Sequence, residues 1–189
     1  TSVNISSFMI MMDYAGHPEQ PPADPPGWWP SWQEGYTDLR MVPDLATARI
    51  VPWQDRTALC ICDYEHAEGK WPLDFMPRAL VRRLTKRLAD LGFDTKVSVE
   101  LEWLLFRETE QSAFDKGYRD MIPLAPVAHC YSQTRAGRDA HIVQKFRHAI
   151  EDFGIAIDVW SAEAAPGCVE FNFPGRPALQ AADEAFLFK

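Results

Sequence analysis

Between Thr95 and Phe106 apolar and polar side chains alternate with a period of two. That pattern predicts a strand with Val97, Val99, Leu101, Trp103 and Leu105 on one face. Lys96, Ser98, Glu100, Glu102 and Leu104 occupy the other face. From Pro77 to Leu91 the period lengthens to that of a helix: Leu80, Leu84, Leu88 and Leu91 form one stripe. Arg82, Arg83, Lys86 and Arg87 lie off the stripe as a solvated basic face, and Gly92 ends the helix. A second helix is predicted over Asp139–Phe153, with Ile142, Phe146, Ala149, Ile150 and Phe153 on one side and Gly154 closing it. β-branched and apolar runs predict strands over 47–53 and 58–64, with a turn at 65–69. Two more strands, 155–162 and 167–173, are split by Ala165-Pro166-Gly167, and a third helix starts at Pro177. The order of elements makes the chain α+β.

Residues 1–36 begin with an apolar stretch and turn proline-rich; five of the ten residues from Pro21 to Pro30 are proline. Proline holds such a segment extended and outside a sheet ladder. Trp28, Trp29 and Trp32 make it a packed loop, over a pocket or a subunit interface, rather than a solvated linker.

The 189 residues, 47% hydrophobic, suffice for one large or two small domains with a true core. A net charge of -8 argues against a nucleic-acid partner. The apolar run Phe8–Met12 is far too short to span a membrane. Cys60, Cys62, Cys130 and Cys168 form no CxxC pair, the usage of a reduced, cytoplasmic protein. Cys60 and Cys62 fall on one face of a predicted strand, where a disulfide is not expected. His129-Cys130 is half a zinc motif with no second half.

The chemistry concentrates in carboxylates. Glu100 and Glu102 project from the same strand face, and like charges so close persist only with solvent, a basic group or a cation between them. A hairpin through Pro166-Gly167 brings Glu163 and Glu170 near each other as well. Four carboxylates with few histidines form an oxygen-rich donor set that suits Mg²⁺ or Mn²⁺ better than zinc. No glycine-rich phosphate loop is present, so a bound nucleotide would be held through such cations.

Taken together, several segments resemble the glutamine synthetase family. Thr37-Asp38-Leu39-Arg40-Met41-Val42-Pro43-Asp44-Leu45-Ala46-Thr47 is similar to its PD-x-x-T segment, and Pro52-Trp53 and Asp63 continue it. Val99-Glu100-Leu101-Glu102-Trp103 is similar to its E-x-E strand, and Glu163-Ala164-Ala165-Pro166-Gly167-Cys168-Val169-Glu170-Phe171-Asn172 to its E-x-x-P-G-Q-x-E-x-N turn. The resemblance implies an ATP-dependent ligase that joins the γ-carboxylate of glutamate to ammonia or an organic amine through a γ-glutamyl phosphate. It implies that Glu102, Glu163 and Glu170 hold one metal and Glu100 a second, and that Asp158 stands at a nucleotide-contacting place usually held by Glu. Asp13 matches the proton-accepting aspartate that serves a neighbouring subunit, with Asp38 near the same site. The implied architecture is a β-grasp-like N-terminal domain over 1–72, the first half of an antiparallel catalytic domain over 73–189, and a ring-forming homo-oligomer. Cys168 replaces the family's Gln, and Tyr14-Ala15-Gly16 replaces the serines typical of ammonia users, which points to an organic amine. The downstream metal, phosphate and glutamate ligands of the family are not in this sequence, so residues 1–189 alone are expected to be inactive. A non-catalytic relative is the alternative reading.

Overall fold

The computed structural model describes residues 2–6, 35–68, 73–128 and 130–189. Its elements run β1 (Val3–Ser6), β2 (Asp38–Pro43), β3 (Arg49–Ile50), β4 (Ala58–Leu59), β5 (Cys62–His66), α1 (Pro77–Asp90), β6 (Glu100–Leu104), α2 (Glu110–Asp115), α3 (Gln133–Asp152), β7 (Val159–Ala162), β8 (Cys168–Asn172) and α4 (Ala178–Phe188). The fold is α+β with antiparallel sheets. Internal contacts separate the chain into two units, residues 1–48 with 59–87 and residues 49–58 with 88–189. The tryptophan-rich loop, Asp13 and His129 lie outside the described residues.

In the first unit β2 is central in an antiparallel sheet of order β1-β2-β5. Neither β1 nor β2 was foreseen from periodicity. The two strands expected over 47–53 and 58–64 are both cut short. Asp44 caps a helical turn over Leu45–Thr47, its carboxylate accepting from the Ala46 amide at 3.1 Å. The Thr47 hydroxyl then accepts from the Ile61 amide at 2.8 Å, and the Ile61 carbonyl accepts from the Asp44 amide at 2.8 Å. With its backbone groups so engaged, Ile61 cannot join a ladder, and the run breaks into β4 and β5. Cys60 therefore lies outside the strand that Cys62 begins. β5 continues through the expected turn to His66, because Glu65 pairs in register with Arg40 and forms an ion pair with it.

The leucine stripe of α1 exists, but Leu80, Leu84, Leu88 and Leu91 are 39–65% exposed. The half-buried positions are instead Arg78, Ala79, Val81, Arg82 and Thr85. Arg78 donates to Asp44 at 2.7 Å and to Asp63 at 2.8 Å, and Arg82 contacts Asp63 at 2.7 Å. Part of the basic face expected to be solvated is thus paired. The Arg78 hydrogen bond holds the Asp44 carboxyl below the usual carboxylate range.

The second unit is built on an antiparallel sheet of order β6-β8-β7. The expected alternation holds over Val99–Leu105: odd positions are half-buried, even ones exposed. Regular pairing covers only Glu100–Leu104; beyond it, isolated bridges join Val97 to Arg176 and Phe106 to Pro123, and Val97 is 39% exposed. The core lies on one side of this sheet. Phe171 of β8 is 1% exposed, with ring centroids of Phe146 on α3 and Phe188 on α4 at 5.6 and 5.7 Å. Trp103 lies 4.6 Å from Phe188 and 5.0 Å from Phe146. Ile155 and Ile157 are buried at 0% and 5% exposure but precede β7, which begins only at Val159. Helix α3 starts six residues earlier than its apolar pattern, because the mostly polar residues 133–138 extend it from the N-cap Ser132. The short α2 was also unforeseen. Glu108 anchors it, accepting from Lys116, Ser112 and the Ile122 amide, and these bonds pull its carboxyl down to about 2.

Candidate carboxylate metal site

With α3 and α4 covering one face of the sheet, the even positions of β6 and β8 collect on the other. Register places Glu102 directly opposite Glu170 and Glu100 opposite Asn172. One carboxylate oxygen from each of Glu100, Glu102 and Glu170 lies within 4.8 Å of the others. Like charges facing each other across a ladder are destabilising. Glu170 raises the Glu100 carboxyl above the usual range, followed by burial, Glu102 and Glu163. Glu170 is only 8% exposed, and Asn172 donates to it across one residue.

Glu163 stands beside this trio rather than within it. It closes the β7–β8 turn, its amide donating to the Cys168 carbonyl at 3.0 Å, and it is 9% exposed. Its two oxygens face the Ser161 hydroxyl at 3.3 Å and the Cys130 thiol at 3.6 Å. The turn depends on Gly167, whose φ is +75° and whose missing Cβ would sit 2.6 Å from the Leu105 carbonyl oxygen. The Cys168 thiol contacts Glu102 at 3.7 Å. Burial first, then the Glu102 charge, pushes the Cys168 thiol up; burial and Glu163 do the same to Cys130.

Three neighbours were not read as part of the site: Cys130, Tyr131 and Ser161. Tyr131 is 75% exposed in a left-handed conformation, φ 56°, which a bulky residue rarely adopts. Glu163, then Cys130 and Glu170, pushes its phenol up. Tyr131, Gln133, Gly137, Ser161, Glu170 and Asn172 border a cavity of about 570 Å³. No periodic signal marks Cys130 or Tyr131, which precede α3 in an irregular segment; Ser161 shares strand parity with Glu163 and was legible on that ground.

Two further candidates are not members of the trio. Asp158 is exposed, one residue before β7, its amide donating to the Asn172 carbonyl at 2.9 Å. Asp38 belongs to the first unit, where it accepts from Asn4 at 3.4 Å and borders a cavity of about 410 Å³ with Thr37, His66 and Glu68.

The donor set fits a hard divalent cation. Three carboxylates supply only oxygen, and the charges acting on Glu100 are all negative, so a cation would relieve a repulsion that the fold maintains.

Known proteins share this arrangement of elements. The family model described as the catalytic domain of glutamine synthetase matches residues 74–189. A glutamate–isopropylamine ligase of Pseudomonas sp is 34% identical over 158 residues, covering 84% of this chain and 34% of the relative. The gamma-glutamylethanolamide synthetase GlnA4 of Streptomyces coelicolor is 33% identical over 159 residues, again 84% of this chain and 34% of the relative. The solved GmaS/ADP complex, conformation 1, superposes with a TM-score of 0.64 at 25% identity over 80% of this chain and 33% of that one. The chain thus spans about a third of the length of the relatives it matches.

Proposed function

Because the chain belongs to the glutamine synthetase family, we propose that it contributes cation-binding carboxylates to an ATP-dependent ligase joining the γ-carboxylate of glutamate to an organic amine. The observation that carries this reading is the convergence of Glu100, Glu102 and Glu170 within 4.8 Å, inside the segment matched by the catalytic-domain model. The names of the two amine-ligating relatives support an organic amine over ammonia.

Glu100, Glu102 and Glu170, with Glu163 beside them, would hold Mg²⁺ or Mn²⁺. Such a cation, when bound, neutralises phosphate charge during phosphoryl transfer from ATP. The chain's own contribution is positional. The strand ladder fixes Glu102 against Glu170, Asn172 orients the Glu170 carboxylate, and Ser161 with Cys130 holds Glu163 at the end of the turn. Asp158, exposed at the start of β7, is proposed to contact the nucleotide. Asp13 is proposed on the amine side, taking the proton that the attacking ammonium must lose before it displaces phosphate from the γ-glutamyl phosphate, with Asp38 near the same site. A domain boundary at 72/73 belongs to the same reading; the family match starts at residue 74, whereas the compact units part at 87/88 and residues 49–58 fall in the second unit. So do a ring-forming homo-oligomer and a cytoplasmic location.

The test is ATP-dependent phosphate release by the full-length protein with glutamate and isopropylamine, ethanolamine or ammonia, in Mg²⁺ or Mn²⁺. Release should require glutamate and an amine, favour the organic amines and vanish in E170Q. A protein that folds and binds Mn²⁺ but releases no phosphate with any amine would instead be a non-catalytic relative.

A further inference from the structure

We propose that Arg107 is a positioning residue for the carboxylate site: its guanidinium holds Leu124 as a fixed wall behind the Gly167 turn, and that wall sets where Glu163 and Glu170 stand. The inference rests on the carboxylate-site reading above and deepens it, adding a residue that acts on the cation only through others.

The wall is built just beyond the end of β6. The Leu105 amide donates to the Gly167 carbonyl at 2.9 Å, and the Leu105 carbonyl accepts from the Leu124 amide at 2.7 Å. Residues 122–124 therefore run beside residues 105–107, with Phe106 bridged to Pro123 and the Arg107 amide donating to the Ile122 carbonyl at 2.7 Å. The turn leans directly on them: a Cβ on Gly167 would stand 3.1 Å from the Leu124 amide nitrogen and 3.2 Å from the Pro123 Cβ. Leu124 is 7% exposed, and its carbonyl is satisfied by a side chain. Arg107 donates to that carbonyl from Nε at 3.1 Å and from Nη2 at 2.8 Å, and the same Nη2 donates to Asp139 on α3 at 3.1 Å. One planar fork thus ties together the end of β6, residues 122–124 and α3. Lysine, a compact point donor, cannot reproduce that fork. Glu108 secures the same closure, accepting from the Ile122 amide at 3.0 Å and from Lys116 at 2.6 Å. The Arg107 side chain is 54% exposed, so its ion pair with Asp139 contributes little by itself. What a substitution costs is the partner of the Leu124 carbonyl, and with it the restraint on the wall.

Positioning and simple charge predict opposite signs. Deleting a positive charge from the surroundings of a cation site favours the cation. Loosening the wall frees the turn, spreads Glu163 and Glu170, and weakens binding.

The experiment measures Mn²⁺ affinity by electron paramagnetic resonance, and stability by urea denaturation, in the full-length parent, E170Q, R107M, R107K and R78M. E170Q defines the share of Mn²⁺ binding that belongs to the carboxylate site. R107M should weaken that share about tenfold, the lower end of the loss seen when residues that orient metal ligands are removed. R78M, whose ion pairs lie in the first unit, is the control: it should be destabilised with its Mn²⁺ affinity unchanged. Affinity in R107M equal to or tighter than the parent overturns the proposal. So does an equal loss of affinity in R78M, which would mark general softening of the protein. If R107M does not fold, R107K decides, because it keeps the charge and gives up the fork: weaker binding than the parent supports the proposal, and unchanged binding overturns it. A parent that binds Mn²⁺ no better than E170Q refutes the carboxylate-site reading itself, and the proposal falls with it.

Discussion

Replacing Gly167 with alanine tests whether the turn between β7 and β8 is what holds the carboxylates in place. Two penalties combine. The backbone has φ +75°, a left-handed conformation that costs an ordinary residue about 1–2 kcal/mol. The new Cβ would also meet the Leu105 carbonyl oxygen at 2.6 Å and the Leu124 amide nitrogen at 3.1 Å. These are backbone atoms with little freedom, since the Leu105 amide donates to the Gly167 carbonyl at 2.9 Å and the Leu124 amide to the Leu105 carbonyl at 2.7 Å. Relief of such overpacking costs about 1–3 kcal/mol. G167A should therefore lose about 2–5 kcal/mol in urea denaturation of the full-length protein. The control is Gly117, which has φ +59° but nothing within 4 Å of its absent Cβ. G117A should lose only the conformational part, about 1–2 kcal/mol. Glu163 and Glu170 flank the turn, so Mn²⁺ affinity should fall in G167A and hold in G117A. Equal losses of stability in the two variants would refute the steric argument, and unchanged Mn²⁺ affinity in a destabilised G167A would sever the turn from the site.

Three further outcomes are expected. E170Q keeps the acceptor that Asn172 uses but removes the charge opposite Glu102, so the metal-free protein should melt at a higher temperature while the melting-temperature gain given by Mn²⁺ disappears; a lower melting temperature without metal would count against the repulsion. Asp44 has its pKa lowered by Arg78, so the pair's stabilisation is full above the ordinary carboxylate value of about 3.9 and fades as pH falls through the lowered one. R78M should accordingly be less stable than the parent at neutral pH, with the gap closing in denaturation curves taken at progressively acid pH; a constant gap would show that the loss is packing alone. F171A empties the centre of the aromatic cluster and should cost about 3–5 kcal/mol, read by urea denaturation.

The sequence by itself determined what the local backbone period controls. Side chains two apart on a strand share a face whatever the rest of the chain does, so the common direction of Glu100 and Glu102 and the apolar side bearing Leu101 and Trp103 were legible. Gly92, Gly154 and Gly167 marked real left-handed positions because no other residue adopts them as cheaply. The tertiary structure decided the rest. It laid β8 between β6 and β7 in the register that sets Glu170 against Glu102, and it brought Cys130 from an irregular segment to Glu163. It also placed Arg78 against Asp44 and Asp63 while leaving the leucines of α1 exposed. The physical reason is the range of the forces involved. Strand parity is a property of neighbouring dihedral angles, whereas register, strand order and ion-pair partners follow from packing between segments tens of residues apart, which no window of sequence contains.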